Sequence, residues 1–259
     1  MHSITERTEQ VKDELTFGNQ HLRFNFNLYK RWQKRCIRWA SWTRISSSGL
    51  DKINKHGPVL ITPNHVSWKD IFFIGGMIRR TVHFAATYRL FDEDACHNML
   101  DQDQFFGKLA NYPVIREPIY MFNHLLSRFL VTRVRGSGAI PARLHTGNYS
   151  FFNAIKNAFN QKKLVCIFPE GRSSKEIKRF KLGISKVLHD YYLENRVSVP
   201  VYPVGITGTH QIFRPGMRLG FFVGSPMYIK DYLESTDFKT YISFTDALKE
   251  KVIQLVNHD

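Results

Sequence analysis

Val59-Leu60-Ile61-Thr62-Pro63-Asn64-His65-Val66-Ser67-Trp68-Lys69-Asp70-Ile71-Phe72-Phe73-Ile74 decides how this chain folds. Its first three residues are apolar and lead to Thr62-Pro63, the pattern of a short buried strand closed by proline. Ile71 to Ile74 form a second apolar run, suited to a buried helix. A strand handing over to a helix through a polar turn is the unit of α/β folds. The reading puts His65 on the turn and Asp70 in the first turn of the helix.

An imidazole with an ordinary pKa near ~6.5 keeps a neutral ring available at neutral pH to take a proton from an alcohol. It works well only when its other nitrogen is held. Asp70 is the nearby group able to accept that N–H, fix the tautomer and stabilise the imidazolium. His65 and Asp70 are therefore the candidate base and its orienter. The plainer alternative is that Asp70 favours the helix N-terminus through the dipole and His65 is a satisfied turn residue.

Further along, Lys163-Leu164-Val165-Cys166-Ile167-Phe168 has the β-branched, apolar composition of a buried strand, and Pro169 ends it. Glu170-Gly171 is then a loop at the carboxyl end of a strand, the edge where open α/β sheets bind ligands. Arg172, Lys175, Lys178, Arg179 and Lys181 follow with Glu176 as the lone opposing charge, a cationic rim suited to phosphate. The plainer alternatives are a solvated basic face and a structural salt bridge from Glu170 to one of these cations.

Asn64-His65-x-Ser67-Trp68-x-Asp70 and Phe168-Pro169-Glu170-Gly171 resemble signature blocks of the glycerolipid acyltransferase superfamily, which includes 1-acylglycerol-3-phosphate O-acyltransferases, glycerol-3-phosphate acyltransferases and tafazzin-like enzymes. Tyr112-Pro113-Val114-Ile115-Arg116 resembles its second block and Val199-Pro200-Val201-Tyr202-Pro203-Val204-Gly205-Ile206 its fourth. Phe180-Lys181-Leu182-Gly183 and Gly224-Ser225-Pro226 are similar to weaker landmarks. The resemblance runs from about residue 48 to about residue 230, and four blocks in order are more specific than any one.

The resemblance implies that His65 is the general base on an acceptor hydroxyl, with Asp70 its partner. It implies that Arg116, Glu170 and Gly171 hold the acceptor, joined by Arg172 and Lys181. It also implies direct transfer from a thioester, so neither Ser67 nor any cysteine needs a nucleophilic role. The implied donor is acyl-CoA or acyl carrier protein as co-substrate, with no cofactor and no metal, and the acceptor a lysophospholipid or glycerol phosphate. One departure concerns the headgroup: the commonest third block continues Gly-Thr-Arg-Ser, where this chain has Gly171-Arg172-Ser173-Ser174.

The 259 residues are 43% hydrophobic and 14% aromatic, enough for one large domain, and the formal charge of +15 points to an anionic partner. Cys36, Cys96 and Cys166 lack metal-ligand spacing and cannot all pair, which suits a reducing compartment. His83, His97, His124, His145, His189 and His210 are scattered and receive no role. No run reaches the ~18 apolar residues of a membrane span. Between Leu22 and Arg44, cations including Arg31 and Arg35 occur without an acid, while Phe24, Leu28, Trp32, Cys36 and Trp39 recur at three- and four-residue spacing. That pattern is a basic amphipathic helix suited to an anionic membrane surface.

The expected organisation is an N-terminal membrane-interface segment over 1–47 and a domain over 48–259, with Ser46-Ser47-Ser48-Gly49 as hinge. Arg135 to Pro141 reads as a second flexible stretch. Strands are expected at Val59–Thr62, Val82–Ala86, Leu164–Phe168, Val201–Gly205 and Leu219–Val223. Helices are expected near Ile71–Arg79, Phe122–Arg135, Tyr149–Gln161, Leu182–Leu193 and Thr245–Asn257. The alternation predicts an α/β fold: a largely parallel central sheet flanked by helices, with an N-terminal amphipathic basic helix. The expected location is peripheral or monotopic at a membrane. A non-catalytic basic module for anionic lipid or nucleic acid is the alternative, although no nucleic-acid motif is present and none is expected to bind. A lipid hydrolase lacks its Gly-x-Ser-x-Gly elbow, since Gly136-Ser137-Gly138 has the wrong spacing.

Overall fold

The computed structural model describes residues 25–101, 113–142, 149–174, 176–211 and 216–257. Strands lie at Arg44–Ser48 (β1), Val59–Pro63 (β2), Val82–Thr87 (β3), Ile140–Ala142 (β4), Leu164–Cys166 (β5), Val201–Thr207 (β6) and Arg218–Val223 (β7). Helices lie at Phe26–Ala40 (α1), Lys69–Met77 (α2), Glu93–Asp101 (α3), Pro113–Gly136 (α4), Tyr149–Asn160 (α5), Gly183–Asn195 (α6) and Asp237–Val256 (α7). The chain divides into two compact units, a smaller one of Met1–Leu28 with Ala86–Ala154 and a larger one of Tyr29–Ala85 with Ile155–Asp259.

The larger unit is built on strands ordered β1-β7-β6-β2-β5-β3. Four of the five pairings are parallel and only β6 with β7 is antiparallel, so the sheet is largely parallel as expected. Every residue of β2 is buried, as a central parallel strand covered on both faces requires. Its neighbours are β5 and β6, in registers that set Ile61 opposite Cys166 and opposite Tyr202. Because β2 and β5 run side by side in the same direction, the residues that follow each of them emerge at one edge of the sheet.

Val59, Ile61, Phe73, Ile74, Val204 and Phe221 form the centre of the core, with Phe73 and Phe221 meeting edge to face at 5.5 Å. α1 packs onto it from Tyr29 onward. The Trp32 indole lies against Gly75 so closely that a Cβ there would collide with it, and the Cys36 main chain lies against Gly76. Two adjacent glycines in α2 thus make the notch that admits α1. The Val82 N–H donates to the Tyr29 hydroxyl at 2.8 Å, and Gln33 Nε2 donates to the Ile78 carbonyl at 2.9 Å.

The units therefore do not divide at residues 47 and 48. Ser46, Ser47 and Ser48 are not a hinge but strand residues, paired with Gly220, Phe221 and Phe222 of β7. Gly49 turns the chain at φ +71°, pressed so closely on the Val223 carbonyl that a Cβ would collide. Four of the five β1 residues are exposed, which is why the strand carries so little apolar signal. At the other end of the unit α7 begins at Asp237, well before the expected start, because Thr236 caps it by accepting from the Lys239 N–H.

In the smaller unit α4 starts at Pro113 rather than near Phe122. Proline at the first helical position lacks only an N–H that would be unpaired there, so it opens a helix as readily as it ends one. α3, which the sequence reading missed, is tied to α4 by Asn123 Nδ2 donating to Asp101 Oδ1 at 2.7 Å. Arg135 Nε donates to the Phe91 carbonyl at 2.9 Å. The stretch from Arg135 to Pro141, expected to be flexible, holds the end of α4 and the start of β4. No helix among the described residues is long and apolar enough to cross a membrane.

Candidate active site

The turn after β2 is bolted to β6. Thr62 Oγ1 donates to the Tyr202 carbonyl at 3.2 Å. Asn64 brackets Ile206, donating to its carbonyl at 2.9 Å and accepting from its N–H at 2.7 Å. A buried amide that satisfies both main-chain groups of one residue behaves as a further rung of the sheet. The sequence reading quoted Asn64 within its block without a role; its position just past a strand-ending proline was the available signal.

On that turn His65 Nδ1 lies 2.9 Å from Asp70 Oδ2, with the His65 side chain 19% exposed and that of Asp70 fully buried. Oδ2 also accepts from the N–H groups of Val66 at 2.7 Å and Ser67 at 2.9 Å. One oxygen thus fixes both the turn ahead of α2 and the ring; the N–H groups it accepts precede the helix, so these bonds are not a helix cap. An Asp70 carboxylate offers only lone pairs, so its partner Nδ1 carries the hydrogen and Nε2 keeps a lone pair. The Phe168 ring stacks on the imidazole at 4.1 Å and 25°, fixing its plane. Ser67 is committed locally, its hydroxyl accepting from the Lys69 N–H at 3.1 Å.

The second block meets the first through the main chain. The His65 N–H donates to Glu170 Oε1 at 2.9 Å, and the Ser174 N–H donates to the His65 carbonyl at 2.8 Å. Both main-chain groups of the histidine are therefore held by the loop after β5. Burial pushes the Glu170 carboxyl up, while hydrogen bonds from the main chain of His65 and Lys178 and the His65 ring oppose the shift. Its other oxygen, Oε2, is buried without a hydrogen bond. The plainer alternative, a salt bridge from Glu170 to a neighbouring cation, has no ion pair behind it among the described residues.

Gly171 takes φ +72°, and a Cβ there would meet Lys181 Nζ at 2.6 Å, so the lysine side chain lies directly over the glycine. Arg172 and Lys181 are both exposed. Burial pushes the Lys69 amine down, opposed by the adjacent Asp70, and its Nζ donates to the Gln211 carbonyl. Trp68 stands exposed beside the dyad, edge to face with Phe72 at 5.6 Å.

His65, Asp70, Glu170, Gly171, Arg172 and Lys181 all belong to the larger unit. Arg116 lies in α4, and its side chain lies outside the described residues. Of the residues expected to face a membrane, Trp32 and Trp39 pack against the core, Leu28 is half-buried, Arg31 and Arg35 are exposed, and Phe24 lies outside the described residues. No group of three or more histidine, cysteine or acidic residues suited to a metal ion occurs among the described residues.

Among solved structures the chain is similar to the 1-acyl-sn-glycerophosphate (LPA) acyltransferase PlsC from Thermotoga maritima. The two share 18% identity over 88% of this chain and 78% of that one, with a TM-score of 0.52, a likeness of fold. Among curated proteins none matches. The sequence matches the family described as Acyltransferase over residues 44–207. That segment runs from the start of β1 to the end of β6, well over half the chain, and includes both the dyad and the loop that holds it. On this match the chain belongs to the acyltransferase family.

Proposed function

We propose that the chain moves a fatty acyl group from an acyl thioester, acyl-CoA or acyl carrier protein, onto a hydroxyl of a lysophospholipid or glycerol phosphate. The observation that carries this reading is the 2.9 Å contact of His65 Nδ1 with Asp70 Oδ2, on an oxygen already fixed by two main-chain N–H groups. His65 Nε2 takes the acceptor's hydroxyl proton as the oxygen attacks the thioester carbonyl. The C–S bond then breaks and the proton passes from the imidazolium to the departing thiolate. A positioned base of this kind supplies ~10²- to 10⁴-fold of the rate.

Exposed Arg172 and Lys181, which both follow Gly171 in the chain, suit the acceptor's phosphate, and the family resemblance also assigns Arg116 to the acceptor. Glu170 acts through His65, holding the main chain that carries the base. Arg31, Lys34, Arg35 and Arg38 leave the outer face of α1 cationic, each worth about 1 kcal/mol beside an anionic leaflet. We place the protein at a membrane surface facing a reducing compartment, in keeping with three buried free thiols. The name of the PlsC structure supports a lysophosphatidic acid type of acceptor.

The test is thiol release from acyl-CoA with and without a panel of lysolipids and glycerol phosphate. Acceptor-dependent release that disappears in a folded His65→Ala variant supports the reading. Release without acceptor would point to a hydrolase, and none with any acceptor and either donor to a binding module.

A further inference from the structure

We infer that α4 seats the chain on an anionic bilayer, an inference that rests on the lipid-acceptor reading of the site. α1 is the element whose composition suits a membrane, yet its apolar side is occupied: Tyr29, Cys36 and Ala40 are buried, and Trp32 and Trp39 pack on the core. α4 is built the other way round. Its fully buried positions include the polar Asn123 and Ser127, next to Val131. Asn123 Nδ2 donates to Asp101 and the Ser127 hydroxyl to the His124 carbonyl at 2.8 Å, while Asn123 Oδ1 is buried without a hydrogen bond.

Met121, Leu125 and Phe129, spaced four residues apart, are 65%, 61% and 50% exposed and form one stripe down the helix. A helix turned to water has the opposite pattern. Polar residues inside and a large apolar stripe outside mean that the outer face meets something other than water.

Charge identifies the occupant. Arg128 and Arg133 flank the stripe on its two sides, both exposed, with the Arg133 guanidinium 4.9 Å above the Phe129 ring. Arg128 has only a loose, exposed contact of 3.7 Å with Glu93. An apolar stripe between arginines matches the boundary of an anionic leaflet, where the stripe enters the acyl region and the guanidinium groups remain among phosphates. A second copy of the chain would bring two arginine rims together on molecules that each carry a charge of +15. Like charges facing each other disfavour that contact.

The experiment is flotation of the full chain with vesicles of phosphatidylglycerol and phosphatidylcholine. It compares wild type with Met121→Ser/Leu125→Ser/Phe129→Ser and with Arg128→Ser/Arg133→Ser. The stripe variant is expected to lose at least about tenfold in vesicle affinity while still acylating a detergent-dispersed lysolipid. The arginine variant is expected to lose its preference for phosphatidylglycerol. If the triple variant does not fold, Leu125→Gln alone should weaken binding by about threefold.

Unchanged affinity in a folded stripe variant overturns the inference. So does a wild-type dimer by light scattering that becomes monomeric in the stripe variant without loss of vesicle affinity. Wild type that binds vesicles through the stripe but acylates no acceptor would overturn the acyl-transfer reading and leave the membrane seat standing.

Discussion

Glu170 reaches across 105 residues of sequence to accept the main-chain N–H of His65 at 2.9 Å. The bond joins the loops that follow two adjacent parallel strands, β2 and β5, and it holds the histidine's main chain without touching the ring. The imidazole is fixed from three sides: its main chain by Glu170 and Ser174, its Nδ1 by Asp70, and its face by Phe168.

A glutamine at position 170 keeps an oxygen that accepts the His65 N–H, and an alanine does not. Glu170→Ala is expected to lower kcat by roughly 10- to 100-fold with little change in acceptor KM, as a small misplacement of a base does. Glu170→Gln should recover most of that loss. Steady-state kinetics of both variants check this, and a rise in acceptor KM that glutamine fails to rescue would instead make Glu170 a direct acceptor contact.

The same carboxyl makes stability depend on pH. Burial raises its pKa, against the pull of the His65 and Lys178 main chain and the His65 ring, so the folded chain holds a proton that the unfolded chain has released. Its contribution is complete below the unfolded pKa and is lost as pH rises through the folded one. Urea midpoints measured from about pH 4 upward should show Glu170→Gln gaining on wild type as pH rises.

Asp70→Asn replaces an acceptor-only group with one that also donates. Oδ2, which accepts from the N–H groups of Val66 and Ser67, is also the atom facing His65 Nδ1, so an amide oxygen in its place keeps all three contacts. The NH₂ takes the buried, unpaired position of Oδ1 without the negative charge. The ring proton stays on Nδ1, but the imidazolium that forms when Nε2 takes a proton loses its countercharge. A fall of roughly 10²- to 10⁴-fold in kcat is expected with the fold retained. Activity measurements, with ¹⁵N spectra of the ring to read the tautomer, check both halves.

Tyr29→Phe removes the acceptor of the buried Val82 N–H and leaves the ring in place. An orphaned buried donor costs about 1–3 kcal/mol, so the variant should melt earlier with unchanged activity per folded molecule. Thermal unfolding monitored by circular dichroism reads the loss.

Burial pushes the Cys36 thiol up to about 12 and those of Cys96 and Cys166 above their ordinary value. All three are free and buried. The native protein should resist thiol-directed reagents, and acyl transfer should survive treatment that labels every cysteine after unfolding. Inactivation of the native protein by such a reagent would contradict direct transfer.

The geometry of the candidate site was largely legible along the chain because its contacts are local. His65, Val66, Ser67 and Asp70 lie within six residues, and a strand-ending proline followed by a helix start brings them together wherever the unit sits. Glu170 was legible as a loop carboxylate at a strand end, but its bond to His65 was not. That contact depends on β2 and β5 being neighbours, and strand order is not written in local periodicity.

Elsewhere the same division holds. Alternating apolar runs identified β2, β3, β5, β6 and β7 and the largely parallel α/β fold, because buried strands and helices must be apolar whatever they pack against. The serines of β1 carry no such signal, and only pairing with β7 makes them a strand. The apolar stripe of α1 was visible, but not whether protein or lipid would cover it; the Gly75-Gly76 notch decided for protein. In α4 the buried Asn123 and Ser127 and the exposed Met121, Leu125 and Phe129 became distinguishable only in three dimensions. Residue types and spacing determine which groups are able to react or be buried, while the arrangement of distant segments determines what each one meets.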